Sequence, residues 1–289
     1  MRHGTVEYRR EGHAGIITLN RPHVMNAFTY EMGEDVAAAL DETDADGQVR
    51  AVIVTGAGKA FCAGADLTTG AETFNAVARA QEGGGFDERD PQWRDRGGRL
   101  NLRIFDSVKP VIAAINGAAV GIGATMILPM DARIAARGVK MAYPFTKRGI
   151  AWDGCASWFL PRIVGIETAL DWGLSGRTFL SEEAHKKGLI GELAEPGDVM
   201  DAALAKAKSF SAAAPVSVAM NRRMAWRMLG AAHPMEAHRQ ETRAILRRGM
   251  SADAREGVMS FLEKREADFP GRVPEDLPPG WPYDRDPGY

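Results

Sequence analysis

KPVIAAINGAAVGIGATMILPMDARIA, residues 109–135, sets two short apolar runs on either side of a stretch made almost wholly of small residues. The runs at 109–115 and 132–136 are each bounded by Pro, Gly or charged residues, as the strands of a covered sheet are. Between them, Gly121 and Gly123 stand at the start of an apolar segment that reads as a buried helix. The same grammar extends outward. GIITL (15–19) and VRAVIVTG (49–56) are strand-like, and TYEMGEDVAAALDET between them places Met32, Val36 and Leu40 at four-residue spacing behind a capping Thr29. That spacing predicts a helix. Strand, helix, strand recurrence argues for an α/β core rather than a sandwich or a helical bundle.

The last third has a different pattern. Segments 198–212, 215–229, 235–249 and 251–265 are helix-like, punctuated by Pro215, Pro234 and a Ser251 cap. The expected organisation is an α/β core over residues 1–197, a helical region over 198–269 and a Pro-rich tail over 270–289. The tail is too rich in Pro for a regular element, and is either disordered or an arm laid over a neighbour. Residues 70–99 are glycine-rich and charged at their centre, and read as a long loop, either a lid or a surface insertion.

The 289 residues suffice for a large core, and a formal charge of -2 gives no general attraction to nucleic acid or to a lipid surface. It leaves room for a polyanionic small molecule held by a local basic cluster. Cys62 and Cys155 lie in Gly/Ala-rich segments without disulfide or zinc spacing, which fits a reducing cytoplasm. The first residues lack the apolar run of a secretory signal, and no stretch is long and apolar enough to span a membrane. The histidines are scattered, with no metal-ligand spacing.

GAGKAFCAGADL (56–67) repeats the small-residue device of 115–131. Two such turns can aim two main-chain N–H groups at one oxygen and so stabilise an enolate or a tetrahedral oxyanion. Close helix–sheet packing explains either turn equally well. Neither is a phosphate loop: the first lacks the Gly-Lys-Ser/Thr ending, the second the dinucleotide spacing. In GIAWDGCASWFLPR (149–162) the lone carboxylate, Asp153, follows Trp152 in small and apolar surroundings. It is either the cap of the helix that follows or a group set up for proton transfer, with burial beside Trp152 raising its pKa.

ITLNRPHVMNAF, KAFCAGADL, KPVIAAINGAAVGIGATMILPMDARIA, GIAWDGCASWFLPRIVG and EGVMSFLEKREADF, in that order from about Tyr8 to Phe269, resemble the blocks of the crotonase, or enoyl-CoA hydratase/isomerase, family. The resemblance implies a crotonase-like α/β spiral of ββα units with a helical C-terminal trimerisation region, assembled as a homotrimer or a dimer of trimers. It implies an acyl-CoA substrate, with coenzyme A arriving as part of the thioester, and neither a permanently bound cofactor nor a metal. The thioester oxygen would lie between the N–H groups of Ala65 and Ile122. The adenine end of CoA would lie near Ala63, Asp66 and Leu67, and the pantetheine near Met25 and Ala27. Phe261 and Lys264 match positions that contact CoA, often from a neighbouring subunit.

The two glutamates of the hydratase members fall at Thr125 and Phe145 of this chain, neither of which is an efficient base at neutral pH. Asp153 matches the working carboxylate of some isomerases and of the aromatic acyl-CoA dehalogenases, although the dehalogenases' nearby histidine has no match. Phe145 and Trp152 are the expected acyl-pocket residues. The implied reaction is double-bond isomerisation with Asp153 as acid and base. Its alternatives are hydration by Asp153 with a water held by Thr125, and acyl-CoA binding without catalysis.

Overall fold

The structure, a computed structural model, describes residues 2–75, 77, 87 and 89–282. Its strands, in chain order, are β1 (Arg2–His3), β2 (Val6–Glu11), β3 (Ala14–Leu19), β4 (Ala51–Gly56), β5 (Ala60–Cys62), β6 (Val111–Ile115), β7 (Ala118–Val120), β8 (Ala132–Ala136), β9 (Lys140–Ala142), β10 (Thr178–Leu180) and β11 (Glu192–Ala194). They form two sheets. The larger has the order β1-β2-β3-β4-β6-β8-β11, antiparallel as far as β3 and parallel beyond it. The smaller runs β10-β9-β7-β5, with only β10 antiparallel to its neighbour. Every residue of β4 and β6 is buried, which is why these strands read as unbroken apolar runs.

The helices are α1 (Tyr30–Ala45), α2 (Arg96–Phe105), α3 (Ile122–Thr125), α4 (Ala156–Val164), α5 (Ile166–Ser175), α6 (Ser181–Lys186), α7 (Val199–Ser211), α8 (Pro215–Met228), α9 (Pro234–Gly249) and α10 (Ala252–Glu263). Thr29 caps α1 as its position predicted, its Oγ1 accepting the Met32 N–H at 3.2 Å. Met32, Val36 and Leu40 of α1 are buried. On α7, Val199, Ala203 and Ala207 form a stripe of small apolar side chains at four-residue spacing, and the helix packs on β4, β6 and β8.

Three elements depart from the sequence reading. The glycine-rich segment 70–99 ends in the first turn of a helix, α2. The lid reading of this segment falls largely on residues outside those described. The segment opening at Gly121 is a single helical turn, α3, followed by turns. The tail, as far as residue 282, lies over the chain's own helices: Val273 is buried against Val216, Ala219 and Met220 of α8 and Ala244 of α9, with Leu277 and Trp281 packed beside it. Arg50 holds the approach to the tail by donating to Phe269 O at 2.9 Å and Ser211 O at 3.2 Å.

Arg222 of α8 is buried and donates to Asp131 Oδ2 at 2.7 Å and to the carbonyls of Ile104, Phe105 and Ser107. Those carbonyls lie at the end of α2, where a cation meets unsatisfied acceptors and the negative end of the helix. Asp131 also accepts the Val111 N–H of β6, at 2.7 Å. One ion pair therefore joins the sheet, α2 and the C-terminal helices. Removing either partner leaves a buried charge unpaired, a cost of about 3–5 kcal/mol.

Candidate active site

The two small-residue turns converge where β5 and β7 end. Gly64, just beyond β5, has φ +107°, and Gly121, just beyond β7, has φ +55°. A side chain is strained in either conformation. The glycines also let the turns approach, since a Cβ on Gly64 would stand 3.2 Å from Val120 O. Phe28 pairs with the main chain on both sides of Ala65, donating to Gly64 O at 2.8 Å and accepting the Asp66 N–H at 2.9 Å. Alternation along an extended chain then turns the Ala65 N–H away from Phe28, toward the side on which β7 ends. Ile122 opens α3, where the first N–H groups have no intrahelical partner. Among the described residues, neither N–H has a hydrogen-bond partner.

Asp153 is carried on the loop leading into α4. It does not cap that helix: the N-cap is Cys155, at φ 56°, with no side-chain cap bond. Instead the Asp153 Oδ1 accepts the Thr125 hydroxyl at 2.8 Å. Its Oδ2 lies against the start of α2, where a Cβ on Gly97 would stand 3.1 Å from it and 2.6 Å from Ile122 Cδ1. The bare helix face at Gly97 thus makes room for both the carboxylate and the isoleucine side chain. Burial, helped by the negative charge of Asp95, pushes the Asp153 pKa up from 3.8 to about 7, against the opposing Thr125 hydrogen bond. At neutral pH the group therefore exists in both protonation states.

Two residues that the sequence reading passed over hold this arrangement. Asn101 of α2 is fully buried and donates to Thr125 O at 2.8 Å and to Gly154 O at 2.5 Å. Asp95, the N-cap of α2, also accepts the Gly154 N–H at 2.9 Å. The signal for α2 was an Asp followed by Leu100 and Ile104 at four-residue spacing, masked by the paired glycines at 97 and 98.

Gly97 of α2 and Thr125 of α3 lie directly against the Asp153 carboxylate. The Trp152 indole packs so closely on Gly173 of α5 that a Cβ at that position would overlap it. Phe145 is buried in the core beyond β9. Near the β5 turn, Ala63 N–H donates to Met25 O at 3.1 Å, while Met25 and Leu67 present exposed side chains. Asp66 pairs with Arg21 at 2.9 Å and is held below the usual carboxylate range, chiefly by hydrogen bonds from Thr68 and then by Arg21. Ala27 lies on the same connection, and its carbonyl accepts from Arg21 at 2.5 Å. Phe261 and Lys264 sit apart on α10 and its C-terminal cap, where α10 packs on α9. Among the described residues no cluster of His, Cys, Asp or Glu could hold a metal ion, and no helix is long and apolar enough to cross a membrane.

A carboxylate poised near neutrality suits acid–base chemistry. Comparison with known proteins gives that class its family. Residues 9–272 match the family described as Enoyl-CoA hydratase/isomerase. The chain is 38% identical over 256 residues to the enoyl-CoA hydratase ACTT3 of Alternaria alternata, covering 88% of this chain and 82% of that one. It is 33% identical over 264 residues to the 1,2-epoxyphenylacetyl-CoA isomerase of Escherichia coli strain K12, covering 89% and 94%. Among solved structures, an enoyl-CoA hydratase from Mycobacterium tuberculosis H37Rv superposes with a TM-score of 0.80 at 31% identity, over 92% of this chain and 99% of that one. The chain belongs to the enoyl-CoA hydratase/isomerase family, has the crotonase fold, and is an acyl-CoA enzyme.

Proposed function

We propose that this enzyme moves a double bond along the acyl chain of a CoA thioester, with Asp153 as its acid and base. Asp153 takes a proton from one carbon, and the electron pair left behind delocalises onto the thioester oxygen. The Ala65 and Ile122 N–H groups hold that oxygen while it carries negative charge. The proton then returns to a different carbon, the double bond shifts, and no water is gained or lost. The observation that carries this reading is the half-buried Asp153 carboxylate, with its pKa pushed up to about 7 and its Oδ1 anchored by Thr125. A group that must both accept and release a proton works best when its pKa lies near the working pH.

Thr125 and Phe145 at the hydratase glutamate positions favour a mechanism with one carboxylate. The Thr125 hydroxyl proton is engaged by Asp153, and Phe145 has no polar side-chain atom. Met25, Ala27, Ala63, Asp66 and Leu67 would take the CoA moiety, joined by Phe261 and Lys264 from another subunit of a homotrimer or dimer of trimers. Phe145 and Trp152 would wall the acyl end. The exposed apolar side chains along α9 and α10 support such an assembly. Hydration is the second reading, favoured by the hydratase names of several relatives. It would use Asp153 and a water accepted by Thr125.

The test is a panel of unsaturated acyl-CoAs incubated in deuterated water, with wild type and Asp153→Asn compared by product mass. Deuterium entering the acyl chain only with Asp153 intact, at unchanged hydration, is the expected result. A product heavier by one water would replace isomerisation with hydration. Full turnover by Asp153→Asn would remove Asp153 from either mechanism.

A further inference from the structure

Asp95 is a carboxylate that the proposed reaction does not use. Its Oδ1 accepts the Gly97 N–H at 3.1 Å and its Oδ2 the Gly98 N–H at 2.7 Å, the ordinary work of an N-cap on α2. A cap requires nothing more, yet Oδ2 also accepts the Gly154 N–H at 2.9 Å, from a peptide 59 residues away in sequence. That peptide follows Asp153 directly. The Asp153 Oδ2 lies across the same helical turn, against Gly97. Two carboxylates therefore flank the first turn of α2, one solvated by three main-chain N–H groups and the other held by the Thr125 hydroxyl and its own main-chain N–H.

We propose that Asp95 is a positioning residue for proton transfer at Asp153: it fixes the loop that carries Asp153 and sets the electrostatic field around its carboxylate. This rests on Asp153 being the acid and base. The mechanical part follows from the Gly154 bond, which Asn101 reinforces from the carbonyl side of the same residue. The electrostatic part follows from two like charges beside one helix turn, where the Asp95 charge disfavours the ionised form of Asp153. The groups facing Asp153 are Asp95 and Gly97 from the start of α2, Thr125 and Ile122 from α3, the Cys62 thiol of β5, and the Cys155 thiol with Arg94 near it. Asp95 is the charged group among them that raises the Asp153 pKa.

The experiment is a titration of the full-length protein carrying 13C at its aspartate carboxyl carbons, with the Asp153 signal assigned by its loss in Asp153→Asn. Asp95→Asn and Asp95→Ser both keep a helix-capping side chain and remove the charge. In each folded variant the Asp153 midpoint is expected to fall by about 0.5–1 pH unit. The pH at which deuterium exchange into an acyl-CoA reaches half its maximum is expected to fall by the same amount. An N-cap that served α2 alone would change thermal stability and leave both midpoints in place. An unmoved Asp153 midpoint, with Asp153→Asn inactive, overturns the role of Asp95 alone. A moved midpoint with Asp153→Asn exchanging as fast as wild type overturns the acid/base reading, and the positioning role with it.

Discussion

In the α/β core the chain covers its own apolar surface, whereas along α9 and α10 it does not. Met32, Val36 and Leu40 of α1 are buried, and every residue of β4 and β6 is out of solvent. On the C-terminal helices Ile245 is 72% exposed, Met250 76% and Phe261 81%. Both regions are helical where the sequence predicted helices, so the difference is one of partners and not of secondary structure. The proposed proton-transfer group and the side chains that hold it come from a single chain; the proposed subunit contacts and part of the proposed CoA site lie on a surface that one chain leaves open.

The comparison can be broken most sharply at the carboxylate. Asp153→Asn should slow acyl-proton exchange by about 10²–10⁴-fold, measured by deuterium incorporation, if general acid–base catalysis resides there. In wild type kcat/KM should rise with pH through about 7, because the basic form of Asp153 is the one that takes the proton. On the covered side, Gly123→Ala would drive a methyl group into the Cys62 carbonyl where α3 meets β5, both main-chain elements with nowhere to move. Overpacking of this kind should lower stability by about 2–4 kcal/mol in urea denaturation.

A smaller effect of opposite sign belongs to Asp153 itself. Its pKa is raised in the fold, so its contribution to stability is fully present below 3.8 and is lost as pH rises through about 7. Asp153→Asn should therefore stabilise the protein at pH 8, on the order of 1–3 kcal/mol, and change little near pH 4. Smallest of all, Phe261→Ala on the open face should change single-chain stability by no more than about 0.5 kcal/mol. If that side chain meets CoA from a neighbouring subunit, the same substitution should raise KM while leaving the unfolding midpoint in place.

The parts legible in the sequence were those with local causes. Thr29 and Ser251 cap the helices that begin just after them, and the apolar runs at 109–115 and 132–136 are strands because both faces of the sheet are covered. Asp153 was legible as an isolated carboxylate. Its neighbours were not: Thr125 and Asp95 reach it across chain separations that no periodicity encodes. Trp152, its immediate neighbour in sequence, packs on Gly173 instead. α2 escaped notice because Gly97 and Gly98 lower helix propensity at the turn where their missing side chains make room for the site. The strand β2, VEYRRE, carries too many charges to announce itself and is held by its pairing with β3.

The oxyanion donors proposed at Ala65 and Ile122 are main-chain groups, placed by the bends at Gly64 and Gly121. Any substitution at 65 or 122 other than proline keeps the N–H. The inherited part of such a site is the path of the backbone, guarded by a few glycines, while the acid–base group is one replaceable side chain. A lineage built this way can exchange one reaction for another by single mutations, and retain throughout the means of holding a thioester.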